Sequence, residues 1–205
     1  MRKQLIALEG IDGTGKTTAA KALASLYNFK YLKIPDGKLC QLREHIDSQE
    51  SFMTRFLYYM ACNSDAQKTI NSILTANDLA IDRYYHSTLA YHNILLGKDM
   101  GYYLEDLNLR KADNIFLLAA DKETVKDRIS RRPGNATDSK LEKDIDFLMR
   151  VQDEFFRICP AAHIIDTSVL DEQGVIEYIK TRMRYENGIR NKSQDRKCIV
   201  AQEFA

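Results

Sequence analysis

The segment Gly10-Ile11-Asp12-Gly13-Thr14-Gly15-Lys16-Thr17-Thr18 carries the clearest chemistry in the chain. Its first eight residues follow G-x-x-x-x-G-K-[ST], a loop that cradles phosphate groups. Three of the nine glycines sit here. They let backbone N–H groups turn inward with no Cβ in the way. A helix opening at Lys16 adds its positive end. Lys16 is expected to meet the β- and γ-phosphates of ATP, and the Thr17 hydroxyl to hold Mg²⁺. Gly10, Ile11, Asp12, Gly13, Thr14, Gly15, Lys16, Thr17 and Thr18 are therefore the expected nucleotide-binding set.

A second group follows from the same chemistry. Leu79-Ala80-Ile81-Asp82-Arg83 reads as an apolar strand ending in a carboxylate. Enzymes with a phosphate loop place a carboxylate beside the magnesium. Asp82 is expected there, and Arg83 is expected to aim its planar fork at an acceptor phosphate.

These groups need elements to position them. Leu5–Leu8 is expected to be a buried strand, and Lys16 to about Asn28 a helix with Ala20, Leu23, Ala24 and Leu26 on its apolar face. Phe29–Ile34 reads as a strand stopped by Pro35-Asp36-Gly37. Helices are expected over Leu39–Ile46, Ser51–Thr75, Tyr84–Leu96, Leu104–Arg110, Lys122–Arg131, Leu141–Ile158 and Glu172–Met183. The remaining strands are Asp78–Asp82, Asn114–Ala119 and His163–Ile165. Strands alternating with helices imply an α/β fold: a five-stranded parallel sheet flanked by helices in three layers. Residues 1–184 read as one kinase-like domain and 185–205 as a polar tail.

Composition removes other classes. The 205 residues are enough for one domain with a sizeable core. With 30 basic and 29 acidic side chains, the net charge is +1. A protein that wraps nucleic acid carries a basic excess, so a small-molecule acceptor is expected and no nucleic acid. Cys40, Cys62, Cys159 and Cys198 form no CxxC pair and read as reduced thiols. No apolar run suits a signal peptide or a membrane span, so the expected location is the cytoplasm, with no membrane partner. A guanine-reading Asn-Lys-x-Asp segment is missing, since Asn191-Lys192-Ser193-Gln194 lacks the aspartate. That argues against a GTPase-type switch.

Three segments together resemble the thymidylate (dTMP) kinase family of nucleoside monophosphate kinases. They are Leu8 to Thr18, then Asp82-Arg83-Tyr84 with Ser87, Ala90 and Tyr91, and Phe147-Leu148-Met149-Arg150-Val151 with Phe155. The likeness runs from about Lys3 to Arg184. It implies ATP-dependent phosphoryl transfer to a (deoxy)nucleoside monophosphate, as in dTMP + ATP to dTDP + ADP, and a homodimer. A kinase of a nucleoside or other small hydroxylic metabolite on the same fold is the alternative.

The resemblance also assigns residues. Asp12 would lie near the acceptor's sugar hydroxyl or phosphate; an Asx turn is the plainer alternative. Lys33, Arg43, Tyr59, Arg83, Ser87 and Tyr91 would surround the acceptor. Tyr59 is the expected base-stacking aromatic, unless it only packs in its helix. Gly13 stands where some relatives carry an arginine. The catalytic cations would then come from a lid at about 128–142, with Arg131 and Arg132 (and Arg128 beside them) just before Pro133-Gly134. The plainer account of these arginines is a basic helix end favoured by the helix dipole. Two departures concern the acceptor base: the family's base-reading arginine falls at Asn63 or Ser64, and its glutamine after Ala-Tyr falls at His92.

Overall fold

The structure, a computed structural model, describes residues 3–48, 51–104, 107–131 and 144–186. Its strands are β1 (Leu5–Glu9), β2 (Lys30–Lys33), β3 (Leu79–Asp82), β4 (Asn114–Ala119) and β5 (His163–Asp166). The described α-helices are α1 (Lys16–Tyr27), α2 (Arg43–Asp47), α3 (Phe52–Ile73), α4 (Tyr85–Leu96), α5 (Lys122–Ser130), α6 (Ile145–Ile158) and α7 (Glu172–Glu186).

All strands are parallel, in the order β2-β3-β1-β4-β5. β1 lies at the centre and is buried along its whole length. Side chains of a strand alternate between faces, and β1 divides accordingly. Ile6 and Leu8 join Ala19, Ala20 and Leu23 of α1 and Val175, Ile176 and Ile179 of α7. Leu5 and Ala7 face Tyr58, Cys62, Ala66 and Ile70 of α3 on the other side. A third cluster packs Leu117, Val125, Phe147, Leu148, Val151 and Phe155 beneath α4, α5 and α6. Two covered faces explain why the strands read as continuous apolar runs. The expected three-layer sandwich is therefore found.

Helix starts follow from local chemistry. Ser51, Asp121 and Asp144 each accept a hydrogen bond from the backbone N–H three residues on, capping α3, α5 and α6. α1 and α4 have no such side-chain cap. Both begin at the carboxyl edge of the sheet, where ligands of open α/β folds bind.

Three expectations need adjustment. Leu39–Ile46 opens with a 3₁₀ turn, Leu39–Leu42, before α2 begins. The helix expected over Leu104–Arg110 does not form in the described part, 107–110. Asn108 takes a left-handed φ of 45°, and the Arg110 backbone is claimed by distant side chains. Gln67 Oε1 accepts its N–H at 2.9 Å, and the Tyr84 hydroxyl donates to its carbonyl at 2.7 Å. Finally, α7 runs on to Glu186, past the helix end expected at Met183. Most of the lid expected at 128–142, and the tail beyond 186, lie outside the described residues.

Candidate active site

The loop between β1 and α1 has the backbone that its glycines allow. Gly10, Gly13 and Gly15 have φ of 135°, 90° and 85°. A Cβ at Gly10 would stand 2.2 Å from the Leu118 carbonyl oxygen of β4, so only glycine fits. Gly15 is the left-handed cap of α1, whose first N–H groups receive no side-chain partner. Those donors and the helix dipole remain available to an anion.

Lys16 is buried, and its Nζ donates to the Ile11 carbonyl and lies 3.4 Å from Thr14 Oγ1. Burial and the Arg83 charge bring its pKa down to about 7, against the pull of Asp12, Asp82 and Glu9. Bound phosphates would restore the charged form, because a nearby opposite charge favours it.

Thr17 and Asp82 meet as expected. The Thr17 hydroxyl donates to Asp82 Oδ2 at 2.5 Å, and the Tyr31 hydroxyl approaches the same oxygen at 3.3 Å. Asp82 is buried at the end of β3. A hydroxyl and a carboxylate are hard oxygen donors that suit magnesium. Among the described residues no group of three or more His, Cys, Asp or Glu gathers around one point. A magnesium ion carried on substrate phosphates needs only one or two protein carboxylates, so the pair fits that role.

Beside this pair stands a second network. Arg83 Nη2 lies 2.6 Å from Asp12 Oδ1, and the Tyr91 hydroxyl donates to Asp12 Oδ2 at 2.8 Å. Arg83 Nη1 reaches the Gly10 carbonyl at 3.2 Å and Ser87 Oγ at 3.3 Å. Its guanidinium also sits over the Tyr91 ring, 5.4 Å from the centroid. Burial would raise the Asp12 pKa. Arg83 and Lys16, with the hydrogen bonds from Tyr91 and Arg83, instead hold it well below the usual carboxylate range. Burial and the Asp12 charge push the Tyr91 phenol up. Asp12 is thus a fixed anion with both oxygens engaged.

The other expected acceptor residues form a separate group. The Tyr59 hydroxyl donates to Asp47 at 2.8 Å, and Arg43 Nε lies 3.3 Å from the same carboxylate. Lys33 is exposed at the end of β2, in register with Asp82. Asn63 is buried, and its amide donates to the Tyr59 carbonyl at 2.8 Å and to Thr88 Oγ1 at 3.2 Å; Ser64 is exposed. His92 is buried between Phe56 and Tyr59, with Nδ1 2.7 Å from the Thr88 carbonyl.

The arginines expected to act together are divided by the fold. Arg128 folds back onto the phosphate loop. It donates to the Gly13 carbonyl at 3.2 Å, to Thr167 Oγ1 at 2.9 Å and to the Thr167 carbonyl. There it lines a cavity of about 320 Å³ with Gly13, Gly15, Thr18, Leu118 and Leu170. Arg131 caps the end of α5, exposed, with Nε 2.9 Å from Asp127. Arg132 lies outside the described residues.

Sequence reasoning passed over Glu9. It is fully buried and accepts hydrogen bonds from the Tyr84 N–H at 3.0 Å and the Ser87 hydroxyl at 2.5 Å. The signal was available: an acidic residue in phase with Leu5 and Ala7 on a strand covered on both faces must find partners inside.

The Thymidylate kinase family model matches residues 8–175. A probable thymidylate kinase of Methanocaldococcus jannaschii is 32% identical over 171 residues, covering 80% of this chain and 86% of the relative. The thymidylate kinase of Campylobacter hominis is 31% identical over 200 residues, covering 88% and 97%. Among solved structures, a thymidylate kinase from Candida albicans superposes with a TM-score of 0.70 at 23% identity, covering 91% of this chain and 93% of that one, which speaks to the fold. With a phosphate loop closed over β1, a hydroxyl–carboxylate pair beside it and a family match across most of its length, the chain belongs to the thymidylate kinase family, the nucleoside monophosphate kinases that use ATP as donor.

Proposed function

We propose that this enzyme transfers the γ-phosphoryl group of ATP to dTMP, with Mg²⁺, giving dTDP and ADP. The observation that carries the acceptor side is the partly buried Arg83–Asp12–Tyr91 network against the phosphate loop. The fork of Arg83 would take the acceptor phosphate, and Asp12 with Tyr91 would fix the fork's direction.

On the donor side, Lys16 and the N–H groups of the loop would bind the β- and γ-phosphates. The cavity bordered by Arg128 and Leu170 would take the donor's base. Thr17 and Asp82 would hold the magnesium ion, which when bound neutralises charge on the phosphates. The protein's part is positioning and charge balance, since phosphoryl transfer asks for little covalent chemistry. Arg131 and Arg132 would supply further positive charge, and exclusion of water would prevent ATP hydrolysis.

The nucleoside-kinase alternative needs a carboxylate base toward a neutral hydroxyl. Asp12 is a poor candidate for that role, because Arg83 and Tyr91 occupy both its oxygens and the nearby cations leave it little affinity for a proton. We further propose a homodimer in the cytoplasm; no described helix is long and apolar enough to cross a membrane.

The test is a coupled ADP-release assay with ATP, Mg²⁺ and a panel of dTMP, dUMP, dCMP, dGMP and thymidine. Turnover with monophosphates and none with thymidine is expected, with dTMP the best acceptor. Faster turnover with thymidine than with any monophosphate would overturn the reading. The panel also reports on the base, where Asn63 or Ser64 stands at the position of the family's arginine and His92 at that of its glutamine.

A further inference from the structure

Arg83 has a backbone that must be held in place. Its φ is 68°, in the left-handed region that crowds the Cβ of any residue but glycine. Strain of this kind persists only where the surroundings enforce it. Here the end of β1 does so from both sides. The Arg83 N–H donates to the Leu8 carbonyl at 3.1 Å, and the next N–H, of Tyr84, donates to Glu9 Oε1 at 3.0 Å.

Glu9 also reaches the Arg83 side chain through one intermediate. Its Oε2 takes the Ser87 hydroxyl proton at 2.5 Å. A serine hydroxyl has one proton, so Ser87 must then meet Arg83 Nη1, 3.3 Å away, with a lone pair. The carboxylate thereby fixes the direction of the whole chain from Glu9 through Ser87 to Arg83. The contact of Oε1 with His86 Nδ1, 3.1 Å, adds a further restraint at the start of α4, a helix whose cap residue Tyr84 supplies no side-chain cap.

We propose that Glu9 is a positioning residue for Arg83: it sets the left-handed backbone at 83 and the polarity of Ser87, and so aims the guanidinium that meets the acceptor phosphate. This rests on the acceptor-side reading of Arg83 given above. Glu9 itself touches neither substrate.

The informative change is Glu9→Gln, which keeps the shape but replaces one acceptor oxygen with an NH₂. Whichever way the amide turns, either the Tyr84 N–H or the Ser87 hydroxyl then faces a donor. The expected result is an acceptor KM raised at least tenfold with a lower kcat, while the KM for ATP changes less than threefold. A purely structural role would lower the melting temperature and the active fraction without separating the two KM values. Ser87→Ala leaves Glu9 in place and removes the relay hydroxyl; it should shift the acceptor KM in the same direction by a smaller factor and add nothing in an Arg83→Ala background, whereas direct contact of Ser87 with the acceptor would add to that loss. It keeps the proposal testable should Glu9→Gln fail to fold.

Arg83→Ala provides the control. In that background Glu9→Gln should add nothing to the loss in kcat/KM for the acceptor. If Arg83→Ala alone leaves the acceptor KM unchanged, the acceptor-side reading itself is wrong. If Arg83→Ala behaves as expected but Glu9→Gln and Ser87→Ala both leave the acceptor KM at the wild-type value, or if Glu9→Gln acts additively with Arg83→Ala, Glu9 is not the positioning residue.

Discussion

His92 links the fold to pH in a way that can be measured. Only 4% of its surface is exposed, and burial lowers its pKa from the ordinary 6.5 to about 4. Its hydrogen bond to the Thr88 carbonyl pulls the other way, and the Arg55 charge adds to the lowering. The folded state therefore prefers neutral imidazole, while the unfolded chain protonates it near 6.5. The stability this preference provides is complete above that pH and is lost as pH falls toward 4. At pH 5.0 the unfolded state gains by a factor of about 30 from protonation, or roughly 2 kcal/mol, relative to pH 7.5. The perturbation is His92→Gln, which removes the titration. Urea unfolding followed by circular dichroism at pH 7.5 and pH 5.0 gives the comparison. Carboxylates titrate alike in both proteins, so the difference between the two pH-dependent losses isolates His92. Wild type should lose about 2 kcal/mol more than the variant over this interval. Equal losses would show that His92 is not held neutral by the packing of Phe56 and Tyr59 around it.

Lys16→Ala should reduce kcat by about 10³ or more while the melting temperature changes little, since a preorganised cation at the transferring group is lost; near-wild-type turnover would refute its role. Arg128→Ala should raise the KM for ATP several-fold, because the side chain ties the Gly13 carbonyl to Thr167 beside the donor cavity. The double change Arg131→Ala with Arg132→Ala should instead lower kcat strongly and leave the acceptor KM near wild type, as expected for contacts made in the transition state. Steady-state kinetics with each substrate varied in turn distinguishes the two cases. Gly10→Ala should cost about 3 kcal/mol or more in stability, from a Cβ set 2.2 Å from the Leu118 carbonyl together with a φ of 135°, and thermal unfolding would show it.

Local patterns by themselves determined much of this protein. Phosphate loops are contiguous, so the residues from Gly10 to Thr18 could be read as a nest closing onto a helix before any tertiary contact was known. The apolar runs of β1, β3 and β4 announced a sheet covered on both faces, because such strands cannot alternate. Asp82 was legible as the carboxylate at a strand end, and the structure sets it against Thr17, 65 positions away.

What only the tertiary structure decided concerns partners distant in sequence. Arg128 and Arg131 look equivalent at one helix end, and a spacing of three keeps them on one face, but Arg128 lies within α5 and Arg131 is already its C-cap. One is drawn to Thr167, which the β4–β5 pairing brings alongside; the other stays in solvent with Asp127. The segment Leu104–Arg110 carries leucines at helical spacing, yet Gln67 and Tyr84 claim the backbone groups of Arg110 that a helix would need. In sequence Asp12 could be an acceptor ligand or, more plainly, an Asx-turn residue. Its hydrogen-bond partners are Arg83, just past β3, and Tyr91 of α4, both more than seventy positions away. Glu9 lay in plain view beside the loop, but an isolated carboxylate says nothing about direction. Its meaning came from strand parity, which turns it toward α4, and from the left-handed Arg83 backbone that its buried oxygens help to hold.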